Sequence, residues 1–219
     1  LHDVKGNTFK SNAYSSFKRF FGAEMSLTTV DHKAHAFRRR VNASALTTTA
    51  VKGLENRVTP HVDYLIQKLD QTVPRYGSVL EDTDPDWSDG HNMGERIAFC
   101  IADVMGDVTF SQHFNTQRQG ENRHYVHDLP KGVAGIHLVG HMQSLFFCNL
   151  HRLIFKELIV GIGSLMALSR SFAHKRLEER AEGVVRSDIW QALLESSDPK
   201  TGRGFTDDEL VSEASLFIM

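Results

Sequence analysis

The sequence predicts a mainly α-helical protein. Three observations predict it: apolar residues recur at steps of three and four along several stretches, a capping box opens a helix near the C-terminal end, and no stretch alternates apolar with polar residues in the β-branched-rich pattern of a sheet. With 219 residues, 41% hydrophobic and 24% charged, the chain is long enough to bury one sizeable core and too apolar for a disordered polymer.

Across residues 48–71, Val51, Leu54, Val58, Val62, Leu65, Ile66 and Leu69 mark one face of an amphipathic helix. Pro60 lies within it and is expected to kink it or mark a boundary, because proline lacks the amide donor and crowds the preceding turn. Residues 75–90 are rich in Asp, Ser, Gly and Pro and predict a surface connection. A second helix is expected over 93–105, burying Ile97, Cys100, Ile101 and Val104, with Gly106 as its cap. Residues 115–123 are polar and predict a loop.

Residues 129–168 are weakly polar and broken by Gly132, Gly135, Gly140, Gly161 and Gly163, which predicts two helical pieces with a flexible join. From 172 to 181, Lys175, Arg176, Glu178, Glu179 and Arg180 are expected to form a solvated charged helix face. Residues 187–194 predict a short helix with Ser187 as N-cap. The turn Asp198-Pro199-Lys200-Thr201-Gly202 follows. Thr206 and Glu209 then form a capping box that starts a helix at 207. The chain begins at Leu1 rather than Met and stops in the apolar run Leu216-Phe217-Ile218-Met219 with no capping residue, which predicts an internal piece of a longer protein.

Twenty-five Lys and Arg against 27 Asp and Glu leave a formal charge of -2, so no global field draws the chain to nucleic acid. Cys100 and Cys148 are far apart in apolar surroundings. They form neither a metal nor a redox spacing and are expected to be small buried hydrophobes. No apolar run approaches the ~20 residues that cross a bilayer.

His137 and His141 stand one helical turn apart, but Leu138 occupies the position where an HExxH zinc site needs its carboxylate base. Asn42-Ala43-Ser44 fits a glycosylation sequon in a chain with no secretory signal, and is discounted. P-loop, dinucleotide and nucleophile-elbow motifs are missing from the sequence, so the corresponding enzyme classes lack support. His32 and His35 precede Arg38-Arg39-Arg40. This cluster is either a solvated basic turn or an anion site, because a guanidinium fork matches two carboxylate or phosphate oxygens at once.

Three stretches together resemble the central part of fungal cytochrome P450 monooxygenases. The segment 186–195, the turn 198–202 and the segment 205–214 are similar to the family's short helix, connecting turn and the start of its long central helix. His32-Lys33-Ala34-His35-Ala36-Phe37-Arg38-Arg39-Arg40 with Ser44-Ala45-Leu46 resembles helix C, where an aromatic residue or histidine is followed four residues later by arginine. Ile101 to Phe110, with Phe114, resembles a packing element in which Asp103, Gly106, Asp107 and Phe110 occupy the recurrent positions.

The resemblance implies a partial cytochrome P450 fold, helical and truncated at both ends. Residues 1–219 would form a single incomplete domain, without the N-terminal anchor and the C-terminal haem-ligating half. It implies haem as cofactor of the complete enzyme, with His35 and Arg39 gripping a propionate, and the oxygen-activating residues and axial cysteine lying outside this chain. It also implies O2, a small organic substrate, NADPH-cytochrome P450 reductase and the cytosolic face of the endoplasmic reticulum membrane as partners. Secondary metabolism or detoxification would be its setting. The region 129–168 would lie over the substrate channel as a mobile lid, or would simply pack as ordinary helices. A non-catalytic helical binding module, or an inactive truncated gene product, is the other class the sequence leaves open.

Overall fold

The computed structural model describes residues 10–70, 90–120, 122–142, 144, 150–198 and 201–218. The predicted surface connection at 75–90 lies almost wholly outside them, as do Cys148 and most of the join expected between the two helical pieces. After a 3-10 turn at Asn12–Phe17 come α1 (Lys18–Phe21), α2 (His32–Ala45), α3 (Thr48–Gly53) and α4 (Glu55–Asp70). These are followed by α5 (Met93–Phe110), α6 (Arg123–His141), α7 (His151–Ile154), α8 (Lys156–Ala181), α9 (Ile189–Leu194) and α10 (Asp207–Ile218). No β-strand occurs among the described residues, and no helix among them is long and apolar enough to cross a membrane.

The main core gathers around Trp190 of α9, which is fully buried. Val41 and Ala45 of α2, Val108 and Phe110 of α5, Ala173 of α8, and Leu210 and Ala214 of α10 belong to the same cluster. Aromatic rings extend it: Phe110 lies 5.2 Å from Trp190, and Phe172 stacks on both Phe110 and Phe114, the latter at 4.6 Å and 7°. A second cluster joins Phe21 and Met25 to Ile162, Leu165 and Met166 of α8.

Several local expectations change. The helix predicted over 48–71 divides at Leu54, six residues before Pro60, because Thr47 caps a separate short helix and Leu54 turns into the core. Pro60 stays inside α4. No residue of α4 is fully buried, and Val62 and Ile66 of its apolar stripe are exposed.

Helix α5 runs past Gly106 to Phe110, since Val108, Thr109 and Phe110 are all buried, and it ends where Ser111 adopts a left-handed conformation at φ 52°. Gly106 is therefore no cap but a close-packing position: a Cβ there would lie 2.7 Å from both the Gln112 carbonyl oxygen and the Phe114 ring. Asp103, also buried, accepts from the amides of Thr116 and Gln117 and from the Thr116 hydroxyl. The third resembling stretch thus works as packing, with Asp103 tying down the turn after α5.

Residue 188, not 187, caps α9: the Asp188 carboxylate accepts from the Gln191 amide at 2.8 Å. The charged face expected at 172–181 is not all solvated. Arg176 is fully buried, with its guanidinium donating to Glu179, Asp188 and Gln191. Burial pushes the Glu179 carboxyl up, but hydrogen bonds from Arg186 and Arg176 outweigh it and hold its pKa below the ordinary value. A charge inside a core is tolerated when such partners surround it.

The two helical pieces expected at 129–168 are α6 and α8, which pack antiparallel, with Gly132 against Gly161 and Gly135 against Leu158 and Ile162. Asp128 accepts from the Ser164 hydroxyl at the same seam. The glycines let two backbones touch: a Cβ on Gly161 would sit 2.7 Å from the Gly132 amide nitrogen. Gly161→Val is expected to cost about 1–3 kcal/mol by forcing the helices apart. Gly163→Ala, where an added Cβ meets nothing within 4 Å, should be neutral or stabilising by up to about 1 kcal/mol. Thermal unfolding of the two variants checks the contrast.

Candidate functional site

Helix α2 carries the site the sequence predicts. Asp31 caps it by accepting from the Ala34 amide at 2.7 Å, so its first turn is fixed in direction. One face, marked by Arg38, Val41 and Ala45, is buried. His35 and Arg39 lie four residues apart and therefore share another face, His35 half-buried and Arg39 exposed.

The electrostatics of that face favour an anion. Burial first, then the charges of Lys10, Arg39 and His32, push the His35 pKa below the usual imidazole value. Lys10 is held nearby, with its ammonium donating to the carbonyl oxygens of Ser26 and Leu27. Among the described residues no carboxylate pairs with Arg39. An imidazole able to donate an N–H, beside a guanidinium with no carboxylate partner among the described residues, suits a carboxylate-bearing ligand.

Arg38, the neighbour of Arg39, has a different fate that the basic triplet does not announce. Its guanidinium is buried and donates to Glu213 Oε1 at 2.9 Å and Glu209 Oε1 at 2.6 Å. Glu213 Oε1 also accepts from the amide and the hydroxyl of Ser26, and that hydroxyl accepts from the Asn42 side-chain amide. The Asn42 amide of the sequon is thus spent inside the fold. Burial drives the Glu213 pKa above the ordinary carboxylate value, against Arg38 and Ser26, which pull it down. Burial also pushes Glu209 up, but the Thr206 amide, Arg38 and Arg203 overcome it and hold the group below its usual value. The predicted capping box is present, Glu209 accepting from the Thr206 amide at 2.9 Å while its own amide donates to the Thr206 hydroxyl at 3.3 Å.

The result is a clamp between α2 and α10 that sets where His35 and Arg39 stand. A signal for it exists in the sequence: Arg38 shares its helical stripe with Val41 and Ala45, and an arginine on a buried stripe requires carboxylate partners. The other side of α2 borders an open groove of about 710 Å³ lined by Asp31, Phe37, Arg40, Asp198 and Arg203 among others. Arg203 there is already committed to Glu209.

The remaining sequence candidates are quieter. His137 and His141 do lie side by side, with ring centroids 4.4 Å apart and the rings tilted by 59°, but both are exposed and no third ligand joins them among the described residues. Cys100 is buried, and burial followed by Asp103 raises its thiol pKa, which makes it inert.

The sequence matches the cytochrome P450 family over residues 2–219. It is 26% identical over its whole length to a cytochrome P450 monooxygenase of Gibberella zeae, covering 48% of that protein. It is 25% identical over 197 residues to cytochrome P450 monooxygenase AKT7 of Alternaria alternata, covering 36% of it. Tryprostatin B 6-hydroxylase of Neosartorya fischeri is 27% identical over 191 residues, with 31% of its length covered. The chain spans at most about half the length of these fungal relatives. With a match that runs almost from end to end, and with helices where the resemblance implied them, the chain belongs to the cytochrome P450 family.

Proposed function

We propose that this chain is the central part of a haem-thiolate monooxygenase, in which His35 and Arg39 hold a haem propionate. The observation that carries the reading is the anion-seeking face of α2: a half-buried imidazole and an unpaired arginine one turn apart, in a field made positive by Lys10 and His32. Family membership implies haem in the complete enzyme, and haem presents two carboxylates to whatever holds it. When bound, it supplies the activation of O2 and the transfer of one oxygen atom to an organic substrate.

The residues of this chain hold and orient. Arg39 would pair with a propionate through its fork, His35 would donate a hydrogen bond to the same group, and the Arg38 clamp would keep both at a fixed height relative to α10. Helices α6 and α8 would roof the substrate space, and α10 would lead toward the oxygen-activating residues further along the protein. Leu150, Leu153, Ile154 and Val160 are exposed around α7 and the start of α8, which supports contact of this edge with the endoplasmic reticulum membrane on its cytosolic face. Electrons would come from NADPH-cytochrome P450 reductase. The hydroxylation recorded in the name of the Neosartorya fischeri relative is the reaction type we assign, with the substrate class left as a small organic molecule.

Haem retention by the complete enzyme tests the clamp. Arg39→Gln is expected to weaken it roughly 10- to 100-fold, the loss of one charge-assisted hydrogen-bonded pair. His35→Ala should weaken it less. Arg40→Gln, on the groove side of α2, should leave it unchanged. Equal retention in the Arg39 and Arg40 variants would reject the clamp, and a complete chain that takes up no haem would favour a helical binding module or an inactive product.

A further inference from the structure

Away from the anion-seeking face, His61 of α4, Asp107 of α5 and His113 of the turn after α5 bring their ligand atoms within 4.8 Å of one another. His61 Nε2 lies 3.3 Å from Asp107 Oδ2, and His113 Nδ1 lies 4.0 Å from the same oxygen. A tetrahedral zinc ion with bonds of about 2.0–2.1 Å sets its ligand atoms roughly 3.4 Å apart. The first pair already has that spacing. The second needs a shift of about half an ångström, and His113, with a side chain 63% exposed, is free to make it.

The surroundings hold two of the three ligands rigidly. Arg57 donates to Asp107 Oδ1 and to the Asp107 carbonyl, which fixes the carboxylate and leaves Oδ2 facing the imidazoles. Arg57 also donates to the Ser111 hydroxyl, and that hydroxyl donates to Asp188, so the turn that carries His113 is pinned at its root. The backbone of His61 is anchored where its carbonyl accepts from Gln117. A carboxylate oriented by a neighbouring donor is the outer-shell arrangement that metal sites use. The positive charge of Arg57 limits the affinity, and the exposed side leaves a coordination position for water.

We propose that His61, Asp107 and His113 form a surface site for a divalent transition metal with zinc-like preferences, which staples α4 to the end of α5. Two imidazoles and one carboxylate select zinc, copper or nickel over calcium and magnesium. The site does not depend on the monooxygenase reading. It would stabilise the helix pair by mass action, in proportion to the metal bound to the folded chain.

Calorimetric titration of zinc chloride into the complete enzyme tests it, with thermal unfolding alongside. The expected result is one saturable equivalent in the micromolar range, at least tenfold weaker in both His61→Ala and His113→Ala and unchanged in His137→Ala, with a zinc-induced rise in melting temperature only where binding persists. His113 is exposed, so its variant tests the site in a folded protein. Absence of saturable binding, or equal binding in wild type and the His113 variant, would overturn the proposal.

Discussion

Arg38→Ala is expected to destabilise the complete protein by about 3–5 kcal/mol, the cost of leaving a buried charge without its partner. Glu213 has a fully buried side chain, and among the described residues Arg38 is the cation that forms an ion pair with it. Glu209 would keep Arg203 and the Thr206 amide, so the damage falls chiefly on Glu213. Arg38→Lys should recover part of the loss, since an ammonium keeps the charge but cannot span two carboxylates as the fork does. Replacing Arg38 and Glu213 together by Met and Leu should cost less than Arg38→Ala alone, because no stranded charge remains. The midpoint of urea unfolding, followed by circular dichroism, ranks the three. A loss below about 1 kcal/mol for Arg38→Ala would mean that water reaches Glu213 and that the clamp does not set the position of α2.

The other large effect is expected at Trp190. Its side chain is fully buried between α2, α5 and α10, so Trp190→Ala should cost about 3–5 kcal/mol through lost transfer energy and the cavity left behind. The indole nitrogen, however, has no hydrogen-bond acceptor among the described residues. Trp190→Phe removes that unsatisfied donor, which offsets part of the lost packing, and should cost less than half as much. The same unfolding measurement separates the cases. Equal losses for the two substitutions would show that ring volume alone matters at this position.

The helices were legible where a short-range signal carries them. The Thr206–Glu209 box marks the start of α10 within four residues, and the placement of His35 and Arg39 on one face of α2 follows from helical spacing alone. The misplaced features share a cause, which is tertiary contact. Gly106 looks like a cap until Phe114 lies against it, and Arg176 looks solvated until Asp188 and Gln191, twelve and fifteen residues on, close over it. Pro60 is expected to kink the helix or mark a boundary, but the break falls at the buried Leu54 and Pro60 stays inside α4. The cluster of His61, Asp107 and His113 comes from three separate segments, and no periodicity links His61 to Asp107, 46 residues on, or to the turn that carries His113.

The Arg38–Glu213 pair joins residues 175 positions apart. At a synthesis rate of about 5–20 residues per second, roughly 9–35 s pass between the appearance of the arginine and that of its buried carboxylate. Throughout that interval α2 leaves the ribosome with an arginine on the stripe that will later be interior, so it stays hydrated and cannot settle onto a wrong apolar surface without desolvating a charge. Chain order thus makes α2 a late-docking element, released to pack only when α10 delivers its glutamates.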